Sequence, residues 1–262
     1  MYPRPTDPAK AGSPAHDRSH EVNTARPGVV REEPALSRRQ CENERMGKTT
    51  MWASTAAALM AAVVTLAPAA HAAPAAGSLH PGTALTIGNE LCTAGFVARN
   101  RNGAPVMFTA GHCDVGDRVR AQSATAGLVP AGDFVASSFV GSDGEDPDIA
   151  VMKLTGAMDL NPAVDAELPV GGSLPIVAEG MTLCKQGAAT GRSCGPVIEC
   201  SSSKVKFAAK IAPGDSGGPV WGYTTSGAIF AVGITIRESS SDGYPVAELI
   251  DPWLDRWNLT IA

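Results

Sequence analysis

Gly214-Asp215-Ser216-Gly217-Gly218-Pro219 sets a single serine among glycines. Such a turn can expose a hydroxyl and aim backbone N–H groups at one point, which suits a nucleophile beside an oxyanion hole. A glycine-rich turn alone is ordinary chain punctuation. Two further segments raise its meaning: Thr109-Ala110-Gly111-His112-Cys113 and Asp148-Ile149-Ala150-Val151. Together the three read as the parts of a serine hydrolase.

The rest of the chain bounds that reading. It has 262 residues, 44% hydrophobic and 18% charged, and a pI near 5.5. These values fit a soluble globular protein and give no electrostatic reason to expect a nucleic-acid partner. Residues 1–45 are polar, rich in Pro, Arg and Glu, and read as a disordered tail or an untranslated leader, with Met46 as the alternative start. Arg45 and Lys48 then precede an apolar, Ala-rich run from Met51 to Ala67, followed by Ala70-His71-Ala72. Residues 46–72 thus read as a secretory signal peptide, and the mature protein is expected extracellular, without stable membrane association. The competing reading is an uncleaved anchor, because the run is almost long enough to span a bilayer.

Residues 73–262 hold 12 Lys+Arg and 19 Asp+Glu, a formal charge of −7, with two histidines and five cysteines. Export makes disulfides the default for those cysteines, and an odd count leaves one unpaired within the mature chain. No C-x-x-C pair or H-E-x-x-H is present, so no metal and no cofactor are expected.

Chain order discriminates among hydrolases. Gly214-x-Ser216-x-Gly218 also matches the nucleophile elbow of α/β-hydrolases, which runs Ser, acid, His. No histidine follows Ser216. The subtilisin order is Asp, His, Ser, and no aspartate lies between Ala73 and His112. The order His112, Asp148, Ser216 survives. His80, in Leu79-His80-Pro81-Gly82, has no motif around it.

Short runs rich in Val, Ile, Phe and Thr, separated by Gly, Pro, Asp and Ser, predict an all-β chain, as a barrel or sandwich. Val106–Thr109, Asp148–Leu154 and Ile229–Ile236 are the clearest strands. A Gly/Pro-rich stretch from Asn161 to Pro175 divides the chain into similar halves. Val246, Leu249, Ile250, Trp253, Leu254 and Trp257 recur as on one helix face, which predicts a short C-terminal helix over about 246–258. Pro252 must then sit early in it or break it.

With these motifs in place, the chain resembles the chymotrypsin-like serine proteases, closest to the secreted bacterial streptogrisin and α-lytic type. The histidine and serine segments resemble that family's two motifs. Cys92-Thr93-Ala94-Gly95-Phe96 resembles its strand facing the histidine turn, and Cys184 to Gly195 resembles the bacterial disulfide loop. The likeness spans roughly 79–254. It implies one protease domain over 73–262, built of two antiparallel Greek-key β-barrels, about 79–160 and 176–245, with the active site between them.

The resemblance implies roles. Ser216 is the nucleophile, His112 the base and then acid, and Asp148 the orienting acid, preferred over Asp143 and Asp146 because it directly precedes Ile149-Ala150-Val151. The N–H groups of Gly214 and Ser216 are the oxyanion donors. Asp215 is implied to be buried and to need a partner; the bacterial branch uses an arginine where this chain has Lys185. Implied disulfides are Cys92–Cys113 and Cys184–Cys194, with Cys200 left over. The implied pocket walls contain Lys210 on one side and Ile236, Arg237 and Glu238 on the other. Lys210 stands where an acid would mark preference for Lys or Arg, so that preference is not implied. The expected activity is secreted peptide-bond hydrolysis by a monomer through an acyl-enzyme, on peptide or protein substrates. The alternatives are a non-cleaving homologue that binds a partner, and an esterase on the same scaffold.

Overall fold

Branched and aromatic residues in short runs favour extended chain, and the Gly, Pro and Asp clusters between them turn it. The computed structural model describes residues 40–41, 77–123 and 126–262. Apart from Gln40–Cys41, the expected tail over 1–45 and the expected signal peptide over 46–72 lie outside the described residues.

In chain order the strands are β1 (Gln40–Cys41), β2 (Ala84–Ile87), β3 (Glu90–Thr93), β4 (Val97–Arg99), β5 (Pro105–Thr109), β6 (Val119–Ser123), β7 (Gly127–Phe139) and β8 (Asp148–Leu154). They continue as β9 (Val170–Ser173), β10 (Val177–Ala178), β11 (Thr182–Gly187), β12 (Gly191–Cys200), β13 (Lys204–Phe207), β14 (Pro219–Tyr223), β15 (Ile229–Glu238) and β16 (Pro245–Leu249). Helix α1 (Asp251–Trp257) and β17 (Thr260–Ile261) complete the chain. The three strands that stood out in the sequence are β5, β8 and β15.

The first sheet runs β17-β4-β5-β8-β7-β6-β2-β3. β3, at one edge, leads directly into β4 near the other through Ala94-Gly95-Phe96, and Gly95 and Phe96 both bond to Phe108 of β5. Leu85, Ile87, Met107, Val119 and Met152 fill its interior. In the second sheet β14-β11-β12-β13-β16-β15 closes on itself through β14–β15, and β9 adds to β15 in parallel. Leu183, Val205, Phe207, Val220 and Val232 fill that interior. This is an all-β, two-barrel architecture. β1, from the segment expected to be disordered, pairs with β10.

A third apolar cluster forms the seam: Phe96, Phe108 and Ile149 from the first barrel meet Trp221 and Ile234 from the second. Helix α1 lies on this seam through Trp253 and Leu254. Trp257 stacks on Phe108 at 6.1 Å, and β17 pairs with β4. The histidine turn follows β5, and the serine loop precedes β14, so the seam brings the two together.

The expected helix over 246–258 is corrected to Asp251–Trp257. Val246, Ala247 and Glu248 pair with both β13 and β15, so ladder bonds claim that segment first. Pro252 stands in the first helical turn, where its missing N–H costs nothing. The odd cysteine is also corrected. Cys92–Cys113 and Cys184–Cys194 are disulfides, and Cys200 is disulfide-bonded as well. The odd count holds only for residues 73–262; the full chain has six cysteines.

Candidate active site

His112 sits in a single 3₁₀ turn, Gly111–Cys113, directly after β5. The Cys92–Cys113 disulfide ties that turn to β3. Asp148 opens β8 with its side chain 2% exposed, while that of His112 is 31% exposed. One carboxylate oxygen, Oδ2, lies 2.8 Å from His112 Nδ1, and Oδ1 accepts the His112 backbone N–H at 2.8 Å. A carboxylate oxygen accepts, so in the neutral imidazole Nδ1 is the donor nitrogen and Nε2 keeps its lone pair. Phe139 meets the imidazole edge-on at 6.0 Å.

The serine loop is shaped by two glycines with positive φ, Gly214 at 101° and Gly217 at 88°. Side chains strongly disfavour that region. Among the described residues, no acceptor takes the N–H of Gly214 or of Ser216. Their carbonyls are both held by Thr93: its hydroxyl donates to Gly214 O at 2.7 Å, and its N–H donates to Ser216 O at 2.7 Å. The Thr93 hydroxyl in turn accepts the Ala188 N–H at 2.9 Å. A Cβ on Gly217 would fall 2.1 Å from Thr109 Oγ1 and 3.1 Å from Ala110 N. The serine loop therefore rests on the residues that lead into His112. The hydrogen bonds of the described residues do not include one from Ser216 Oγ to His112, a contact that commonly tightens only when substrate binds.

Asp215 is fully buried and faces the hairpin that carries Lys185 and Thr190. Its Oδ2 accepts from Lys185 Nζ at 2.7 Å, Thr190 Oγ1 at 2.6 Å and Ala212 N at 3.1 Å. Its Oδ1 accepts the N–H groups of Ala189 and Thr190, both at 3.0 Å. Burial pushes the carboxyl upward, but the bonds from Lys185 and Thr190 outweigh it and hold Asp215 below the usual carboxylate range. Burial pulls the Lys185 ammonium below its usual value, against the opposing pull of Asp215. Neither side chain is reached by solvent. A buried ion pair of this kind demands full hydrogen bonding, and the 185–190 hairpin supplies it together with Ala212.

The pocket residues are dispersed. A register shift in β15 against β16 between Thr235 and Arg237 bulges Ile236 into the apolar core, where it is 2% exposed. Such a bulge re-aims its neighbours. Arg237 turns outward and donates from Nη2 to Gly144 O at 2.8 Å. Arg237 and Glu238 line a pocket of about 340 Å³ with Glu145, Glu199 and Lys206. Lys210, Ile236, His112 and Ser216 do not line it. Lys210 is exposed, and its N–H donates to Ser193 Oγ. Among the described residues the one cluster of metal-type ligands is Cys92, His112 and Cys113, whose sulfurs are already joined to each other.

Sequence reading missed two groups. Thr93 lies inside a quoted motif, yet nothing local shows that its hydroxyl reaches residues 121 positions away. Glu248 is 1% exposed and accepts from Lys204, Trp253 and the Asp148 N–H. Only its place inside an apolar strand could have marked it.

No protein-family model matches the chain, nor does any curated protein. Many solved structures do match. Thermobifida fusca Protease A aligns with 27% identity and a TM-score of 0.56, over 71% of this chain and 98% of that one. Nocardiopsis Protease aligns with 28% identity and a TM-score of 0.56, over 70% and 98%. An α-lytic protease homologue, N4, aligns with 26% identity and a TM-score of 0.56, over 71% and 100%. In fold and in sequence the chain is similar to the bacterial chymotrypsin-like serine proteases.

Proposed function

We propose that this chain is a secreted serine endopeptidase that cleaves peptide bonds through Ser216, His112 and Asp148. The observation that carries the proposal is the docking of His112: its ring N–H and its backbone N–H both bind one buried carboxylate, which leaves the Nε2 lone pair for proton transfer. His112 Nε2 takes the Ser216 proton as Oγ attacks the scissile carbonyl. The resulting oxyanion takes the N–H groups of Gly214 and Ser216. His112 then gives its proton to the leaving amine, and water repeats the sequence to release the acid. Asp148 keeps the imidazole in the required tautomer and stabilises the imidazolium.

The Lys185–Asp215 pair acts on this chemistry through the backbone, because Asp215 lies between the two oxyanion donors. The disulfides support an oxidising, extracellular setting, and among the described residues no helix is long and apolar enough to cross a membrane. In this reading residues 46–72 direct export, and the protease domain lies within residues 73–262 and acts on peptides or proteins.

A non-cleaving homologue is the second reading, favoured by the burial of Ile236. Incubation with a mixed peptide library, read by mass spectrometry, separates them. New termini with wild-type protein, absent with His112→Ala, support the endopeptidase. Hydrolysis of small esters alone supports an esterase, and no hydrolysis of either supports the binding homologue.

A further inference from the structure

The register of β7 and β8 leaves the Asp148 N–H without a ladder partner. Phe139 and Asp148 face each other, and the flanking bond runs from Val140 N to Pro147 O. Phe139–Asp148 is therefore a non-hydrogen-bonded pair, and the Asp148 N–H points away from β7. On its other side β5 has already ended, because Thr109 pairs with Ala150. The donor is met by Glu248 Oε2, at 3.3 Å, from β16 of the second barrel.

Glu248 is itself held from two further directions. Lys204, directly opposite on β13, binds Oε2 at 2.7 Å, and Trp253 of α1 donates its indole N–H to Oε1 at 2.8 Å. The Lys204 ammonium also reaches Glu145 O and Ser203 Oγ. Lys204 and Glu248 are almost wholly buried, at 6% and 2% side-chain exposure. Such pairs rarely add net stability. They can fix geometry.

We propose that Glu248 is a positioning residue for the reaction: it clamps the peptide of Asp148 from across the barrel seam, and so sets where that carboxylate meets His112. The proposal rests on the serine-protease reading above. Asp148 carries His112 through two bonds to one carboxylate. A small rotation of the Asp148 peptide therefore moves the imidazole relative to Ser216. The clamp joins β13, β16 and α1 to the first strand residue of β8, so alignment of the acid is coupled to docking of the two barrels.

Two variants separate positioning from support. Lys204→Met/Glu248→Leu removes the ion pair without changing net charge and deletes the acceptor for Asp148. Trp257→Leu loses the ring packed on Phe108 at the seam and leaves Glu248 with all its bonds. If Glu248 positions the acid, the double variant lowers kcat by about threefold to tenfold, the range one hydrogen bond supplies. KM stays unchanged and the acid limb of the pH profile shifts. Trp257→Leu lowers the melting temperature with kcat retained. The Nδ1–H proton of His112, followed by NMR, moves or exchanges faster in the double variant only.

Unchanged kcat, acid limb and Nδ1–H resonance in the double variant overturn the proposal. So does activity that follows melting temperature equally in both variants. Fluorophosphonate labelling of wild-type Ser216 keeps the two readings apart. A wild type that does not label defeats the protease reading, while the His112 resonance still decides whether Glu248 clamps Asp148.

Discussion

Lys185→Met removes one partner of a fully buried ion pair and leaves the other in place. At 2.7 Å and an effective dielectric of about 20, the Lys185–Asp215 attraction is about 6 kcal/mol. The variant recovers part of that through the lysine desolvation it no longer suffers. Loss of one partner of a buried pair typically costs about 3–5 kcal/mol. Asp215 keeps four donors, from Thr190, Ala189 and Ala212. The expected loss therefore falls at the low end, about 3 kcal/mol. Urea unfolding at neutral pH should show a lower midpoint at unchanged slope. Thr190→Val, which removes one of the five donors, should cost less, about 1–2 kcal/mol. Asp215 lies between Gly214 and Ser216, the proposed oxyanion donors, so Lys185→Met should also lower kcat at least tenfold, with little change in KM. A Lys185→Met protein that unfolds within about 0.5 kcal/mol of wild type and keeps full activity would refute the reasoning.

Thr93→Val keeps the shape but loses the bond to Gly214 O and the acceptor for Ala188. It should cost about 1–3 kcal/mol by denaturant unfolding, with a drop in kcat that Thr93→Ser restores. Gly217→Ala places a methyl against Thr109 and the Thr93 carbonyl at a positive φ. It should yield folded protein poorly or not at all, read as soluble yield and circular dichroism. Asp215 titrates below its unfolded value of about 3.9, so in acid the unfolded chain binds its proton first. The stability it contributes is fully present above that value and falls as pH drops through the folded pKa. Replacing Asp215 by Asn should flatten that part of the curve of melting temperature against pH.

The sequence and the structure meet where information is local. β5, β8 and β15 are runs of branched and aromatic residues that read as strands because nothing else suits them. His112, Asp148 and Ser216 stood out through chain order and neighbouring motifs, and His112 and Asp148 lie 2.8 Å apart. What escaped depends on register. Ile236, expected in a pocket wall, is 2% exposed beside a one-residue register shift in β15, and no residue pattern announces such a shift. The helical periodicity of Val246 to Trp257 was read too far upstream, because β13 and β15 claim Pro245–Leu249 through ladder bonds invisible in the segment itself. Thr93 and Glu248 act on groups about a hundred positions away. Their roles exist only once the barrels are docked.

The central claim is that Ser216 is a nucleophile activated by His112. Labelling of the purified protein with a fluorophosphonate, mapped by mass spectrometry, tests it most directly. The account predicts a single adduct on Ser216, lost in Ser216→Ala and strongly slowed in His112→Ala. Correctly folded protein that takes no label, or takes it elsewhere, would contradict it.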